Sequence, residues 1–303
     1  MHDYRICGLT VASELELPGA VYAFPSPVGA QVFIRRDTVP ASIDGATASG
    51  PTWEMDSDTF LLRVPRLARF LIRSGRDIAV EVEAGAIEQD VTGFVLGSVF
   101  GILLHQRGAL VLHGSAVARN GRAIAICGHS GAGKSTLAAA LCREGFSFVT
   151  DDLCVVGLDD DRQPVVLPDG RRLKLWKQSI DNLDLSARRE EAVRESFEKY
   201  YIQPFDTPDS PPRLSAVYIL GEDRPPLKAG IEGLALPDAM RALDYEAYRP
   251  GLREKMGQKP EMLAHAAAIL GHARIFRFVR PLGFDHMSQV LSDLRSHWDC
   301  LDA

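Results

Sequence analysis

The sequence predicts an α/β fold, with a small, mostly β N-terminal domain over residues 1–108 and a larger domain over residues 109–303. Two observations lead to this prediction. Short runs rich in β-branched and aromatic residues, separated by proline, glycine and aspartate, recur up to about residue 90 and predict strands at 31–34, 59–64 and 77–82. From residue 109 onward, strand-like runs alternate with helical spacing around a glycine-rich loop, which is typical of α/β proteins.

Composition and charge exclude several classes of protein. The 303 residues are 46% hydrophobic and 24% charged, as in folded globular chains. A net charge of −6 without a basic tail argues against a nucleic-acid partner, because such binding neutralises many phosphates. The N-terminus lacks a secretory signal pattern, and the most apolar run, 93–104, is shorter than the ~20 residues that span a bilayer. We therefore expect a cytoplasmic protein with no membrane partner.

The order of elements can be predicted from residue 92 onward. A helix, two strands, a helix and a strand are expected at 92–106, 110–117, 122–127, 133–144 and 146–149. Asn120-Gly121 is typical of a tight hairpin turn, and Gly145 suits the left-handed position that ends a helix. Asp159–Asp161 and Asp169-Gly170 predict hairpin turns. Further helices are expected at 178–183, 187–199 and 286–298, and strands at 214–220 and 274–279.

One segment has the spacing of a phosphate-binding loop. Residues 128–135 match G-x-x-x-x-G-K-[ST] at every fixed position, between a predicted strand and a predicted helix. Its glycines let backbone N–H groups surround a phosphate chain, and the helix adds its positive end. Lys134 is expected to reach the β- and γ-phosphates, and the Ser135 hydroxyl to bind Mg²⁺. The predicted ATP-binding residues are Gly128, His129, Ser130, Gly131, Ala132, Gly133, Lys134, Ser135 and Thr136.

Two adjacent carboxylates follow the next predicted strand. Asp151 and Asp152 lie seventeen and eighteen residues after Lys134. Successive side chains at a strand end face opposite ways, so the two acids are expected to have different roles. One would hold Mg²⁺, and the other would accept a proton from an attacking hydroxyl. The alternative is that the pair only begins a turn. His113, at the end of an earlier strand, is by itself more often structural than catalytic.

These three elements together resemble a known family. Leu112-His-Gly-Ser115, the Gly128–Ser135 loop and Thr150-Asp-Asp152, in this order and spacing, are similar to the kinase domain of HPr kinase/phosphorylase. That domain is akin to the nucleotide-binding part of phosphoenolpyruvate carboxykinase. The resemblance covers about residues 109–156 closely and the remainder loosely. It implies that His113 lies beside the phosphates, that Lys134 and Ser135 bind phosphate and metal, and that both aspartates act in the site.

The chain also departs from that family. The glycine-rich segment associated with phosphorylase activity is not found after the aspartate pair, and residues 1–108 do not resemble the family's N-terminal domain. Tyr4–Leu9, Leu15–Pro18 and Lys174-Leu-Trp-Lys177 instead resemble compact HPr-kinase-related proteins encoded beside bacterial peptide-modification genes. Some of those proteins phosphorylate the C-terminal serine of a lasso-peptide precursor. This resemblance implies a serine-bearing peptide or small protein as partner.

Several cations are secondary candidates for binding phosphate or substrate. Arg171, Arg172, Lys174 and Lys177 form a cluster that either stabilises charge on a transferred phosphoryl group or is a solvated strand face. Lys199 precedes a proline-rich loop, at a place where related kinases have a comparable lysine. Arg280 follows a predicted strand and can also reach the site.

The predicted reaction is transfer of the γ-phosphoryl group of ATP, with Mg²⁺, to a serine hydroxyl. Asp151 is slightly favoured as the base, with His113 and Lys134 also catalytic, and Ser135 and Asp152 are expected to bind the metal. One alternative is an acceptor that is a metabolite or HPr itself, and another is a regulatory module that binds nucleotide without transfer. The sequence does not determine which aspartate has which role, the nucleotide preference, the reversibility, or whether the chain forms a homo-oligomer.

Overall fold

A first sheet accounts for most of the N-terminal third of the chain. The computed structural model describes residues 1–22, 29–194, 197–203, 205–225 and 227–301. The sheet has the order β1-β2-β3-β8-β7-β6-β5-β4. Its strands β1 to β8 are His2–Ile6, Leu9–Ser13, Val32–Arg36, Ala48–Gly50, Trp53–Met55, Thr59–Val64, Ala68–Arg73 and Asp77–Val82. The predicted strands at 31–34, 59–64 and 77–82 are therefore present, and the mixed α/β class is confirmed.

A helical segment packs against this sheet. It consists of α1 (Glu88–Phe94), a π-helical stretch at Val95–Val99 and α2 (Phe100–Gln106), and it confirms the helix predicted at 92–106. The apolar cluster under the sheet also includes Leu153 and Val155 from the later part of the chain. The core of the first sheet therefore continues across residue 108, and the domain boundary at that residue stays a prediction.

A second sheet forms the centre of the remaining chain. Seven of its nine strands have the order β12-β10-β11-β18-β14-β13-β9, and β20 joins β18 to β19. The strands β9 to β14 are Leu110–Leu112, Gly114–Arg119, Arg122–Cys127, Ser147–Thr150, Cys154–Leu158 and Pro164–Val166; β18 is Arg213–Glu222, β19 is Gly230–Gly233 and β20 is Arg274–Arg280. The neighbours β11, β18 and β20 are parallel, whereas β10 is antiparallel to both β11 and β12.

Helices cover both faces of the second sheet. Ile124 and Ile126 of β11 belong to the cluster that contains α3 (Lys134–Arg143) and the last helix, α8 (Met287–Cys300). Ala123 and Ala125 face the opposite cluster, which contains α5 (Leu236–Tyr245) and α7 (Lys259–His272). This alternation with a period of two is what a strand buried on both faces requires. The remaining helices are α4 (Lys177–Asn182) and α6 (Pro250–Lys255). Among the residues given above, no helix is long and apolar enough to cross a membrane.

A third, small sheet and a set of backbone contacts outside it each correct one prediction. It has the order β15-β17-β16, where β15 is Lys174–Trp176, β16 is Arg189–Arg194 and β17 is Phe197–Ile202. The helix predicted at 187–199 is therefore wrong, apart from residues 195–196, which lie outside the described chain. β16 pairs with β17, and β17 in turn pairs with β15; this strand pairing outweighs the local helical preference of the charged segment. The hairpin turn predicted at Asp169-Gly170 is also wrong, because these residues pair with the chain around Cys7 and Val21.

Gly170 allows a close backbone contact that no larger residue can make. Its φ is +68°, and a Cβ atom there would lie 1.8 Å from the carbonyl oxygen of Arg5. We expect Gly170→Ala to lower the free energy of unfolding by about 3 kcal/mol or more, because both strain and a clash must be relieved. Urea unfolding measures the change.

Gly145→Ala is the matched control for the effect of φ alone. Gly145 has a φ of +90°, but apart from its own residue and its two neighbours no atom of the described chain lies within 4 Å of the position of its Cβ. A cost of about 1 kcal/mol is expected for this variant. Equal losses for the two variants would contradict the role assigned to the contact between Gly170 and Arg5.

Candidate active site

The glycine-rich loop connects a strand to a helix, as its spacing predicts. β11 ends at Cys127 and α3 begins at Lys134, so residues 128–133 form the connection. Gly131 and Gly133 have φ values of +85° and +82°, in the left-handed region that favours glycine. The loop and the start of α3 line a cavity of about 470 Å³. Because the first N–H groups of a helix have no intrahelical partners, this wall of the cavity can bind an anion.

The polar side chains of the loop are already held in place. The Lys134 ammonium is buried and donates to the carbonyl oxygens of Gly128 and His129, at 2.7 and 3.1 Å. His129 is exposed, and its Nδ1 lies 2.7 Å from the Ser130 carbonyl. The Thr136 hydroxyl lies 2.9 Å from the hydroxyl of Ser179 on α4. Six of the nine predicted nucleotide-binding residues line the cavity, and three do not: Gly128, His129 and Ala132.

Asp151 contacts the residue that was predicted to bind the metal. The Ser135 hydroxyl donates to its two carboxylate oxygens at 2.8 and 3.1 Å, and the Ser115 hydroxyl donates to one of them at 2.6 Å. The Asp151 side chain is buried. Burial, together with the neighbouring charge of Asp152, raises the pKa of Asp151, although the two hydroxyl donors oppose this rise. Asp151 therefore lies on the side of the site formed by the glycine-rich loop and the start of α3.

Asp152 lies in the open cavity instead. It is half-buried, has a left-handed backbone with a φ of +67°, and forms an ion pair with Lys174 at 3.7 Å. Burial alone would raise the pKa of Asp152, but the positive charges of Lys174 and Lys199 outweigh it and lower the pKa. Asp152 is therefore ionised at neutral pH. A strained backbone is often found at functional positions.

The His113-Gly-Ser115 segment holds the aspartate pair in place. The Asp152 carbonyl oxygen can only accept, so Nδ1 of His113, at 3.2 Å, carries a proton and donates to it. Gly114 permits the close approach of β10 to β11, since a Cβ there would lie 2.7 Å from the Ile126 carbonyl oxygen. Ser115 then reaches Asp151. Each of the three residues in this segment therefore has its own structural role.

Arg171 lies behind the site and does not line the cavity. Its buried guanidinium donates to the Asp169 carboxylate at 2.5 Å and to the backbone carbonyls of Leu96 and Asp151, at 2.8 and 2.6 Å. The Asp169 carboxylate also accepts from the Thr150 hydroxyl at 3.1 Å. These contacts fix the turn after β12 and attach it to the π-helical stretch. The structure thus places Arg171 as a support for the Asp151 backbone, outside the lining of the cavity.

Other cations do line the cavity. Lys174 on β15 and Lys199 on β17 lie at the wall that contains Asp152, and the Lys199 ammonium lies 5.8 Å from the centre of the Trp176 ring. Arg280 at the end of β20 is buried, donates to the Ala132 carbonyl oxygen and lies beside Gly133. Within the described chain, its Nε has no hydrogen-bond partner. Arg172 and Lys177, by contrast, form ion pairs outside the cavity, with Glu190 and Asp181.

Two contributors were missed in the sequence. Glu246 is buried and accepts from the Gly128 N–H at 2.8 Å, while its own carbonyl accepts from the His113 N–H at 2.7 Å. Burial raises the pKa of Glu246. No local pattern indicates this residue, because it lies 118 positions from Gly128. Ser115, by contrast, lies in the Leu112–Ser115 segment that the sequence singled out, although no role was predicted for it.

The oxygen atoms around Ser135 are suitable ligands for a magnesium ion. Mg²⁺ prefers oxygen ligands and usually takes one or two carboxylates together with substrate phosphates and water. The Ser135 hydroxyl and the Asp151 carboxylate supply such oxygens side by side. No group of three or more His, Cys, Asp or Glu side chains suited to a metal occurs in the part of the chain that the structure describes. Phosphate oxygens would therefore have to complete the coordination of a metal here.

The raised pKa of Asp151 leads to a prediction about stability. The folded state binds this proton more tightly than the unfolded chain, so the wild type gains stability as the pH falls through the raised pKa. Conversely, the ionised carboxylate costs stability at neutral pH. Without nucleotide or Mg²⁺, Asp151→Asn is therefore expected to be more stable by on the order of 1 kcal/mol at neutral pH. Urea unfolding at a series of pH values should show this advantage shrinking as the pH falls from neutral towards 3.8, the ordinary pKa of an aspartate.

Asp181→Asn is the control for this measurement. Asp181 is exposed and pairs with Lys177 at 2.8 Å, so its replacement should change stability by no more than about 0.5 kcal/mol. A loss of stability in Asp151→Asn at neutral pH would show that the two hydroxyl contacts outweigh the cost of burying the charge.

Comparison with known proteins adds a likeness of the backbone only. The chain matches no protein-family model and no curated protein. Among solved structures, it is similar to the Hpr(Ser) kinase/phosphatase from Coxiella burnetii, with 12% sequence identity and a TM-score of 0.32. The match covers 64% of this chain and 99% of that chain. At such a TM-score the likeness does not extend to the placement of individual side chains.

Proposed function

We propose that this protein is an ATP- and Mg²⁺-dependent kinase that transfers the γ-phosphoryl group to a serine hydroxyl of a peptide or small protein. The observation that carries the proposal is the division of the aspartate pair. The Asp151 carboxylate accepts a hydrogen bond from the Ser135 hydroxyl, whereas Asp152 lines the cavity that the glycine-rich loop also lines. A module that only binds nucleotide needs no second carboxylate on the acceptor side.

The loop side of the cavity supplies the groups that bind a triphosphate. The backbone N–H groups and the Lys134 ammonium would hold the β- and γ-phosphates. Ser135 and Asp151 would hold Mg²⁺, which neutralises charge on the phosphate oxygens when it is bound. Arg280, close to Gly133 and Ala132, is a second cation on this wall that can stabilise charge on the transferred group.

The opposite wall supplies the groups that act on the acceptor. The Asp152 carboxylate would orient the serine hydroxyl and accept its proton. A base with a lowered pKa suits a loose transition state, in which positioning matters more than proton removal. His113 fixes the Asp152 backbone through the carbonyl oxygen. This proposal exchanges the two roles that the sequence slightly favoured, since it gives the metal to Asp151 and the acceptor to Asp152.

The narrowest form of the proposal concerns a C-terminal serine, as in a lasso-peptide precursor. Such an acceptor carries a carboxylate close to its hydroxyl, and Lys174 and Lys199 lie on the wall that holds Asp152. A carboxylate there would be bound by charge-assisted hydrogen bonds. Peptides ending in serine as the free acid should therefore be phosphorylated faster than the same peptides ending in serine amide.

Labelled ATP tests the proposal directly. The protein is incubated with γ-labelled ATP, Mg²⁺ and a library of serine peptides, and the label is followed by mass spectrometry. Label on serine supports the proposed kinase. Label on a metabolite supplied from a cell extract would move the acceptor to another class. Free phosphate alone, or no turnover, would contradict phosphoryl transfer to serine.

A further inference from the structure

The glycine-rich loop lies between two flanks of the central sheet, of which the proposed reaction uses one. Strands β12, β11, β18 and β20 run in the same direction, so their carboxyl ends lie at one edge of the sheet. β12 is two strands from β11 on one side, and β20 is two strands from it on the other. Each is therefore roughly 10 Å from β11. The aspartate pair follows β12, and residues 281–287 follow β20.

The chain after β20 forms an apolar wall of the cavity that the loop lines, which we call the nucleotide cavity. The apolar wall consists of Leu282, Phe284 and Met287. None of the lining residues within 281–287, a fully described segment, is charged. Leu282 is 43% exposed, whereas Phe284 and Met287 are partly buried and also pack against the apolar cluster that contains α3 and α8. The wall on the side of β12 differs, because it carries an aspartate and two lysines.

The apolar wall is attached to the glycine-rich loop. Arg280, the last residue of β20, donates to the Ala132 carbonyl oxygen, and two residues further along the Cα atom of Leu282 lies within about 7 Å of that of Arg280. Gly283 has a φ of +111° and a ψ of +151°, a combination that is essentially restricted to glycine. Apart from its own residue and its two neighbours, no described atom lies within 4 Å of the position of its Cβ. The backbone conformation therefore requires glycine here, and such conformations are frequent at ligand-binding sites.

We infer that the apolar wall binds the base of the nucleoside triphosphate, an inference that rests on the proposed function. The base is at the opposite end of that molecule from the γ-phosphate. With the phosphates on the loop and the γ-phosphate towards Asp152, the base extends to the flank of β20. Its flat faces lose contact with water against Leu282, Phe284 and Met287, as is usual for the apolar part of a ligand in a pocket.

The other exposed aromatic side chain of the nucleotide cavity belongs to the acceptor flank. Trp176 is on β15, and its ring centre lies 5.8 Å from the Lys199 ammonium, among the charged groups near Asp152. A site divided in this way holds a nucleoside triphosphate by both of its ends. The phosphoryl donor is therefore a nucleoside triphosphate and not an inorganic polyphosphate, which has no group to place against the apolar wall.

Calorimetric titration of the full chain with Mg²⁺-ATP and with Mg²⁺-tripolyphosphate separates binding of the base from binding of the phosphates. Leu282→Ala should lower ATP affinity about fivefold and leave tripolyphosphate affinity within about twofold, because only the base loses an apolar contact. Phe284→Ala should lower ATP affinity about tenfold with the same selectivity. Retained tripolyphosphate binding shows that each variant folds and keeps its loop. Lys134→Ala should lower the affinity for both probes, since both carry phosphates.

Leu263→Ala is the matched control, because Leu263 is an exposed leucine of α7 that does not line the nucleotide cavity. Its affinities for both probes should equal those of the wild type. Equal losses for ATP and tripolyphosphate in the Leu282 and Phe284 variants, or a loss of ATP affinity in Trp176→Ala alone, would overturn the proposed base site.

The Lys134 variant distinguishes failure of this inference from failure of the proposed function. If Lys134→Ala changes neither affinity, the loop is not a triphosphate site and the proposed function fails. If Lys134→Ala lowers both affinities while Leu282→Ala and Phe284→Ala lower neither, only the base site on the apolar wall is contradicted.

Discussion

Asp152→Asn is expected to lower the rate of phosphoryl transfer by about 10²- to 10⁴-fold, the usual contribution of a general base. ATP affinity should stay within a few-fold of the wild type, because Asp152 pairs with Lys174 and does not contact Ser135. Asparagine has nearly the same volume as aspartate, so the cavity keeps its shape. Transfer is measured with γ-labelled ATP and a serine peptide, and affinity with a fluorescent ATP analogue.

Asp151→Asn is the matched comparison, since the two aspartates are adjacent and the chemical change is identical. This variant should lose the part of the ATP affinity that depends on Mg²⁺, because it lacks the carboxylate that accepts hydrogen bonds from the Ser135 hydroxyl in the wild type. Its transfer rate should also fall. If Asp151→Asn kept the Mg²⁺ dependence and Asp152→Asn lost it, the roles would return to those that the sequence slightly favoured.

Lys134→Ala is expected to lower ATP affinity by about 100-fold or more, because an ammonium bound to two phosphates makes charge-assisted hydrogen bonds worth about 1.5–3 kcal/mol each. Transfer should fall by orders of magnitude as well. The fold should persist, since Lys134 is the first residue of α3 and alanine favours helices. Calorimetric titration with ATP gives the affinity, and thermal unfolding gives the stability.

Lys177→Ala is the control for the loss of a positive charge. Lys177 pairs with Asp181 on the surface of α4 and does not line the nucleotide cavity. ATP affinity should change by less than about twofold in this variant. An unchanged ATP affinity in Lys134→Ala would contradict the assignment of the loop as a triphosphate site, whatever the result for transfer.

The strand-loop-helix unit could be predicted because its signals are local. Gly128, Gly131 and Gly133 all have positive φ values, which favour glycine. Their spacing before Lys134 is therefore a signal of local backbone conformation. The turn at Asn120-Gly121 and the cap at Gly145 follow from the same kind of signal, and both have positive φ values. The segment at 187–199 was predicted wrongly because its charged residues satisfy a helical pattern, whereas its structure is decided by pairing in a three-stranded sheet, of β16 with β17 and of β17 with β15.

The amino-acid sequence by itself predicted most of the chemical groups of the candidate site: a loop of glycines, a lysine, a serine, a histidine and two acids. Only the tertiary structure decided which of the two acids lies beside Ser135 and which lies among the lysines. Asp151 faces Ser135 because β12 pairs with β10, which brings Ser115 to the same carboxylate, and the left-handed backbone of Asp152 places the second acid among the lysines. Glu246 contacts Gly128, and Arg171 contacts Leu96, in each case across more than 70 positions of the sequence. No spacing rule applies at such a separation.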